Sequence, residues 1–285
     1  MPPENPMDAA LSLIRIVTTA INVPGPVAAA RLAEMGARIV KVEPPNGDPL
    51  AAYDADWYKT LATGQEIMTL DLKSETGTTR FHELLETADL LLTAQRLPAL
   101  QRLGLDWPRL HRRFPKLCHV AIVGHAPPDE DLPGHDLTYC AAVGLVSPPA
   151  LPPTLIADLA GAERAVSEAL RLLLIRERTG LAGCAHVALA DAAAFYAEPL
   201  RRGITRPESV LGGGVPDYGC YATREGCLAV ATLETHFAQT LRRELGLEFA
   251  DREALQAVLL TRTADEWEAW AREKGLPICK IQSYE

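Results

Sequence analysis

The sequence predicts an α/β fold: a mainly parallel sheet covered by helices on both faces, with a smaller α+β domain after residue 200. Three observations carry this. Short apolar runs, RIVKVE at 38–43, DLLLTA at 89–94 and CHVAIV at 118–123, have strand length and are bounded by turn residues. They alternate with segments of helical period, such as VAAARLAEMGA (27–37) and SETGTTRFHELLETA (74–88), and that rhythm brings strands side by side in parallel. Beyond residue 200 the pattern changes to a hairpin followed by helices.

The elements follow in order. Residues 1–10 are Pro-rich and polar and read as a loose arm. Leu11 to Val17 is a candidate buried strand running into TTAINVPGP, where Pro24, Gly25 and Pro26 make a turn. A helix follows, stopped by Gly36, then the strand Arg38–Glu43, ended by Pro44 and Pro45. This unit has the length of a βαβ but lacks G-x-G-x-x-G, so the common dinucleotide fingerprint is absent. Residues 46–65 read as irregular, IMTLDL as a short strand, and Ser74 as the cap of the next helix. QRLPALQRLGLD is loop and short helix. Leu155-Ile156-Ala157 reads as a short apolar run before a helix from Leu159 to Glu177. Ala185 to Leu189 is a strand, and Asp191 is placed to cap the helix after it. Residues 201–217 are loop-like, with Gly212, Gly213 and Gly214. A hairpin then turns at Arg224-Glu225-Gly226, and three helical patterns and a short apolar run, Leu276 to Ile281, complete the chain. The domains are therefore 1–200 and 201–285.

Bulk properties exclude several classes. The net charge of -9, with no basic block, argues against nucleic acid as a partner. An anionic ligand would need locally placed Lys or Arg. No apolar run has membrane-spanning length and no signal pattern opens the chain, so a cytoplasmic protein with no membrane partner is expected. Cys118, Cys140, Cys184, Cys220, Cys227 and Cys279 show no C-x-x-C spacing, which reads as reduced thiols and no metal site.

The stretch 131–162 holds the residues of chemical interest. His135 and Asp136 are adjacent, Tyr139 follows, and beyond a Pro-rich loop stands a lone carboxylate, Asp158. A carboxylate at a strand-to-helix junction sits where open α/β sheets bind ligands, and a helix N-terminus favours its charged form. The plainer reading stands beside this one: Asp158 as an N-cap and His135 as an ordinary loop histidine.

Several segments together resemble the family III CoA-transferases, which include formyl-CoA and carnitine-CoA transferases and α-methylacyl-CoA racemases. They are PGPVAAARLAEMGARIVKVEPPNGDP, MTLDLKSETG, ADLLLTAQRLPALQRLGLD, PGHDLTY, ADLAGAERAVSEALRLLLIRERTG and GGGVPDYGCYATREGCLAVATLETHF, in that order and spacing. The resemblance implies a Rossmann-like, CoA-binding large domain, a small domain, and a homodimer of interlinked chains. In that dimer the partner's small domain would bring Glu234 and Tyr218 to the site. The resemblance also implies that coenzyme A enters as part of the substrate, with no tightly bound cofactor. Transferases of the family use the aspartate matching Asp158 as a nucleophile that forms acyl anhydrides. Racemases carry G-H-D-x-N-Y, which PGHDLTY matches with Thr138 in place of Asn. They also carry a tyrosine in the Gly-rich loop, matched by Tyr218, and a glutamate after the hairpin, matched by Glu234.

Inverting the carbon next to a thioester needs a base on one face and an acid on the other. On the racemase resemblance, His135 and Asp158 form that pair, Glu234 holds the imidazole tautomer and Tyr218 hydrogen-bonds Asp158. Backbone N–H groups at the start of the Asp158 helix are candidate donors to the enolate oxygen. Lys41 and Arg102 match CoA-contacting positions, with Arg96 nearby. Departures are visible too: Leu50-Ala51-Ala52 stands where an Arg is common, Gln65 and Glu66 where a basic run is common, and the family's C-terminal return segment is absent. The favoured expectation is an acyl-CoA racemase or epimerase. The alternatives are a CoA-transferase acting through an anhydride at Asp158 and a catalytically altered CoA-binding homologue.

Overall fold

The computed structural model describes residues 10–248 and 251–283. Of the expected N-terminal arm, all but Ala10 lies outside the described residues. The chain divides into two compact units between Ala197 and Glu198. In order, the first unit contains β1 (Arg15–Thr18), α1 (Pro24–Glu34), β2 (Arg38–Glu43), α2 (Leu50–Tyr53), α3 (Ala55–Leu61), β3 (Glu66–Thr69), α4 (Glu75–Glu86), β4 (Leu90–Thr93), α5 (Leu97–Arg102), α6 (Trp107–Arg113), β5 (Cys118–Val123), α7 (Asp136–Ala142), α8 (Ile156–Thr179), β6 (Cys184–Ala188) and α9 (Leu189–Tyr196).

Its six strands form one sheet in the order β3-β2-β1-β4-β5-β6, with every neighbouring pair parallel. This is the Rossmann-like order, and it reverses between β1 and β4, the place where such sheets open a crevice at their carboxyl ends. Alternation along the strands explains the two layers. Ile16, Leu90, Leu92, Val120 and Ile122 point to one face, packing with Ala28, Ala29 and Leu32 of α1 and with Ala162, Ala165 and Ala169 of α8. Val17, Leu91, Ala121 and Val123 point to the other, against Phe81 and Leu85 of α4 and Leu110 of α6. Strands buried on both faces read as continuous apolar runs, which is why they were visible in the sequence.

The second unit contains α10 (Glu198–Arg201), β7 (Tyr218–Ala222), β8 (Cys227–Ala231), α11 (Thr235–Leu245), α12 (Arg252–Leu259), α13 (Ala264–Lys274) and β9 (Ile278–Lys280). Its three strands are antiparallel in the order β7-β8-β9, and the hairpin turns at Gly226, whose φ is 85°. Tyr221, Leu228, Val230 and Ile278 pack on Leu241, Leu255 and Trp267.

Four expectations are corrected. The first strand begins at Arg15, because Leu11 closes a turn and donates its N–H to Met35 O. Residues 46–65 are not irregular throughout: α2 and α3 lie there, the second capped by Asp54, which accepts from Asp56 and Trp57 N–H. Helix α3 buries no residue, so it leaves no apolar period to read. Leu155-Ile156-Ala157 is not a strand, since Leu155 is the N-cap of α8. Asp191 does not cap α9: it lies in the first turn of a helix that begins at Leu189. Among the described residues, no helix is long and apolar enough to cross a membrane.

Candidate functional site

A cavity of about 210 Å³ opens at the carboxyl ends of the large sheet. Residues after β1 (Ile21, Asn22), β4 (Arg96), β5 (Gly124) and β6 (Leu189) line it, together with Glu130, His135, Tyr139 and Asp158. The structure thus brings His135, Asp158 and Arg96 to one cavity. All six cysteines are free thiols, and no group of three or more His, Cys, Asp or Glu is placed to hold a metal among the described residues.

The segment 134–139 builds one wall. His135 is the N-cap of α7 and is exposed; its N–H donates to Thr138 Oγ1 at 3.0 Å. Thr138 therefore closes the first turn as an N3 capping side chain does. Tyr139 is buried, and its ring fills the space over Gly134, where a Cβ would come within 2.3 Å of a ring carbon. Burial first, and then the charge of Asp158, push the Tyr139 hydroxyl above its ordinary range, while Arg96 pulls it down.

Asp158 lies in the first turn of α8, past the N-cap Leu155 and inside the helix. Its backbone N–H donates to Asp136 Oδ1 at 3.0 Å, and Asp136 is itself buried. That one amide is therefore already taken. The Asp158 carboxyl is pushed up from 3.8 to about 6, first by burial and then by the charge of Asp136. At pH 7 about a tenth of it stays protonated, so both its base and its acid forms are available. Asp136 is a site residue to which the sequence reading gave no role. The available signal was a carboxylate opening an otherwise apolar helix, LTYCAA.

The expected coenzyme contacts are distributed differently. Lys41 lies within β2 and is 1% exposed. Its ammonium pairs with Asp48 at 2.6 Å and Glu43 at 2.8 Å, and sits over the Tyr58 ring. A phosphate reaches it only by displacing one of those carboxylates. Arg102 is exposed at the end of α5, next to Leu103. Leu103 lines a second cavity of about 360 Å³, with Val42, Leu70, Leu72, Lys73 and Gln95, and both cavities share Ile21. Lys73 is exposed and was not singled out in the sequence. Tyr218 and Glu234 belong to the second unit: Tyr218 opens β7 and Glu234 is the exposed N-cap of α11, with no side-chain cap bond. Tyr218 pairs with Ala231, so both lie at one end of the small sheet.

The parallel sheet, its crevice at the strand reversal, and a half-buried aspartate and a histidine lining one cavity define an α/β protein with a candidate acid–base site and an adjoining apolar cleft. The chain belongs to CoA-transferase family III, matching it over residues 11–285. It is 30% identical to the alpha-methylacyl-CoA racemase of Homo sapiens over 84% of this chain and 65% of that one. It is 35% identical to the cinnamoyl-CoA:phenyllactate CoA-transferase of Clostridium sporogenes over 47% of this chain and 36% of that one. The chain thus spans less than two thirds of either relative. The crystal structure of Rv3272 from Mycobacterium tuberculosis superposes with a TM-score of 0.80 at 26% identity, covering 95% of this chain and 84% of that one.

Proposed function

We propose that the chain is an acyl-CoA thioester enzyme that inverts the carbon next to the thioester carbonyl, with His135 and Asp158 as the two bases. The observation that carries this is their shared cavity, in which Asp158 titrates near 6. A group of that pKa removes a proton at neutral pH and returns one without a large penalty. In this reading Glu234 orients the imidazole and Tyr218 hydrogen-bonds Asp158, as the family resemblance implies. The second cavity takes the nucleotide end of coenzyme A, with Val42, Leu70 and Leu72 against the base. Pro24 and Pro26 stand in the first turn of α1 and carry no N–H, so phosphates need side-chain cations there. Arg102, Lys73 and Arg96 fill that role.

A second reading, CoA transfer with Asp158 as nucleophile, is supported by the transferase relative. Deuterium wash-in to each pure enantiomer of a 2-methylacyl-CoA separates the two. Racemization predicts α-proton exchange without any acceptor acid, and predicts that His135→Ala and Asp158→Ala spare exchange in opposite enantiomers. Transfer predicts turnover only when a free acid is added. Equal loss of exchange for both enantiomers in each folded variant would refute the opposite-face assignment.

A further inference from the structure

Asn22 follows β1 and lines the cavity of His135 and Asp158. Its φ is 71°, and among the described residues it is the one non-glycine with a left-handed backbone. Glycine takes that conformation at no steric cost, whereas asparagine takes it at some cost. Strained conformations persist where their surroundings over-determine them, and they cluster at functional sites.

The surroundings here are specific. The Asn22 N–H donates to Asp48 Oδ1 at 2.8 Å, and the same oxygen accepts from Leu50 N–H at 3.0 Å. The other oxygen, Oδ2, accepts from Lys41 at 2.6 Å, and the Asp48 side chain is fully buried. Lys41 is held in turn by Glu43, which accepts from the Tyr58 hydroxyl. A chain of four polar side chains, the three charged ones buried and Tyr58 half-buried, thus ends on the backbone of one cavity residue. The Asn22 carboxamide takes no part in it and hydrogen-bonds to no protein group among the described residues. The carboxamide is what asparagine adds over glycine at this position.

We infer that Asn22 is a further catalytic residue whose carboxamide N–H donates to the thioester carbonyl oxygen, with Asp48 as the positioning residue that fixes it. The inference rests on the thioester reading above. When one base takes the α-proton, the C–H electron pair moves into the new C=C bond and the carbonyl π pair moves onto oxygen, which becomes an enolate. Protonation of the same carbon by the acid opposite reverses the flow. The enolate oxygen needs a donor. The Asp158 amide is bound to Asp136, and Pro24 has no amide hydrogen to offer. Asn22 supplies one without adding charge.

The test uses the full chain. Asn22→Gly keeps the backbone conformation and removes the amide, and Asn22→Asp keeps the shape and removes the donor. Both should melt as wild type does, with KM within about threefold and kcat for α-proton exchange lowered about 10²–10³-fold, the loss typical of an oxyanion donor. Asp48→Asn should lower kcat in the wild-type background yet change it less than about threefold in the Asn22→Gly background, since no amide remains to be placed. An Asn22→Gly variant with wild-type kcat would overturn the catalytic role, and a full second loss from Asp48→Asn would overturn the positioning role. A wild-type protein with neither exchange nor transfer would remove the thioester reading and this inference with it.

Discussion

Asp158 couples stability to pH in a direction that can be worked out. Its carboxyl titrates near 6 in the fold and near 3.8 as an unperturbed side chain. A raised carboxyl binds its proton more tightly folded than unfolded, so its contribution is fully present below 3.8 and is lost as pH rises through 6. The shift of about two units corresponds to about 3 kcal/mol at most. Asp158→Asn keeps the shape and cannot ionise. It should therefore match wild type near pH 4 and exceed it by about 2–3 kcal/mol at pH 8. Urea midpoints of both proteins across pH 4 to 8, at matched slopes, measure this directly. His119, fully buried with its pKa pushed down to about 3, lowers acid stability below its ordinary 6.5 in both proteins and cancels in the difference. A difference that is flat in pH, or a wild type more stable at pH 8, would show that Asp158 is not held at raised proton affinity. The acid–base role proposed for it would then lose its physical basis.

Three further outcomes are expected. Lys41→Met leaves Asp48 and Glu43 buried without their cation and should lower stability by about 3–5 kcal/mol, read from denaturant unfolding; an unchanged midpoint would show that the pair is solvated. Arg102→Ala and Lys73→Ala should each weaken coenzyme A binding by about 1–3 kcal/mol with kcat little changed, checked by calorimetry and steady-state kinetics. Light scattering at micromolar protein should give the mass of a homodimer, and an active monomer would remove the role expected of a partner copy.

The central strands of the sheet were legible because they are buried on both faces. RIVKVE and CHVAIV carry their bounds in the sequence, as β2 and β5 do in the fold. Helix α3 was not legible, because it buries nothing and leaves no period. At the site, His135 and Asp158 could be named from the resemblance, and the structure puts both on one cavity. The chemistry around them could not be read. That Asp136 turns inward to the Asp158 amide depends on where α7 starts relative to α8, a relation between segments 22 residues apart. Lys41 read as a coenzyme-contacting cation, since neither its burial nor its pairing with Asp48 across the β2–α2 turn is encoded locally. Asn22 left one trace, an asparagine before a V-P-G-P turn, the residue type that tolerates a left-handed backbone when glycine is absent.

The strand order alone would suggest a dinucleotide site at the reversal between β1 and β4, and the loop after β1 argues against it. Dinucleotide folds approach a pyrophosphate with a Gly-rich turn and free helix amides. Here the first turn of α1 contains Pro24, Gly25 and Pro26, so two of its three N–H groups are missing. Gly25 serves a different purpose: a Cβ there would come within 2.5 Å of the Ala20 carbonyl carbon, so the glycine lets the chain after β1 fold back onto the start of the helix. That fold-back carries Ile21 and Asn22 to the crevice. The helix end that receives a phosphate in one class of α/β protein is here closed by prolines, and the loop beside it places Asn22 in the lining of the cavity. With those amides missing, a phosphate-bearing ligand at this reversal has to be held by side-chain cations rather than by the helix end.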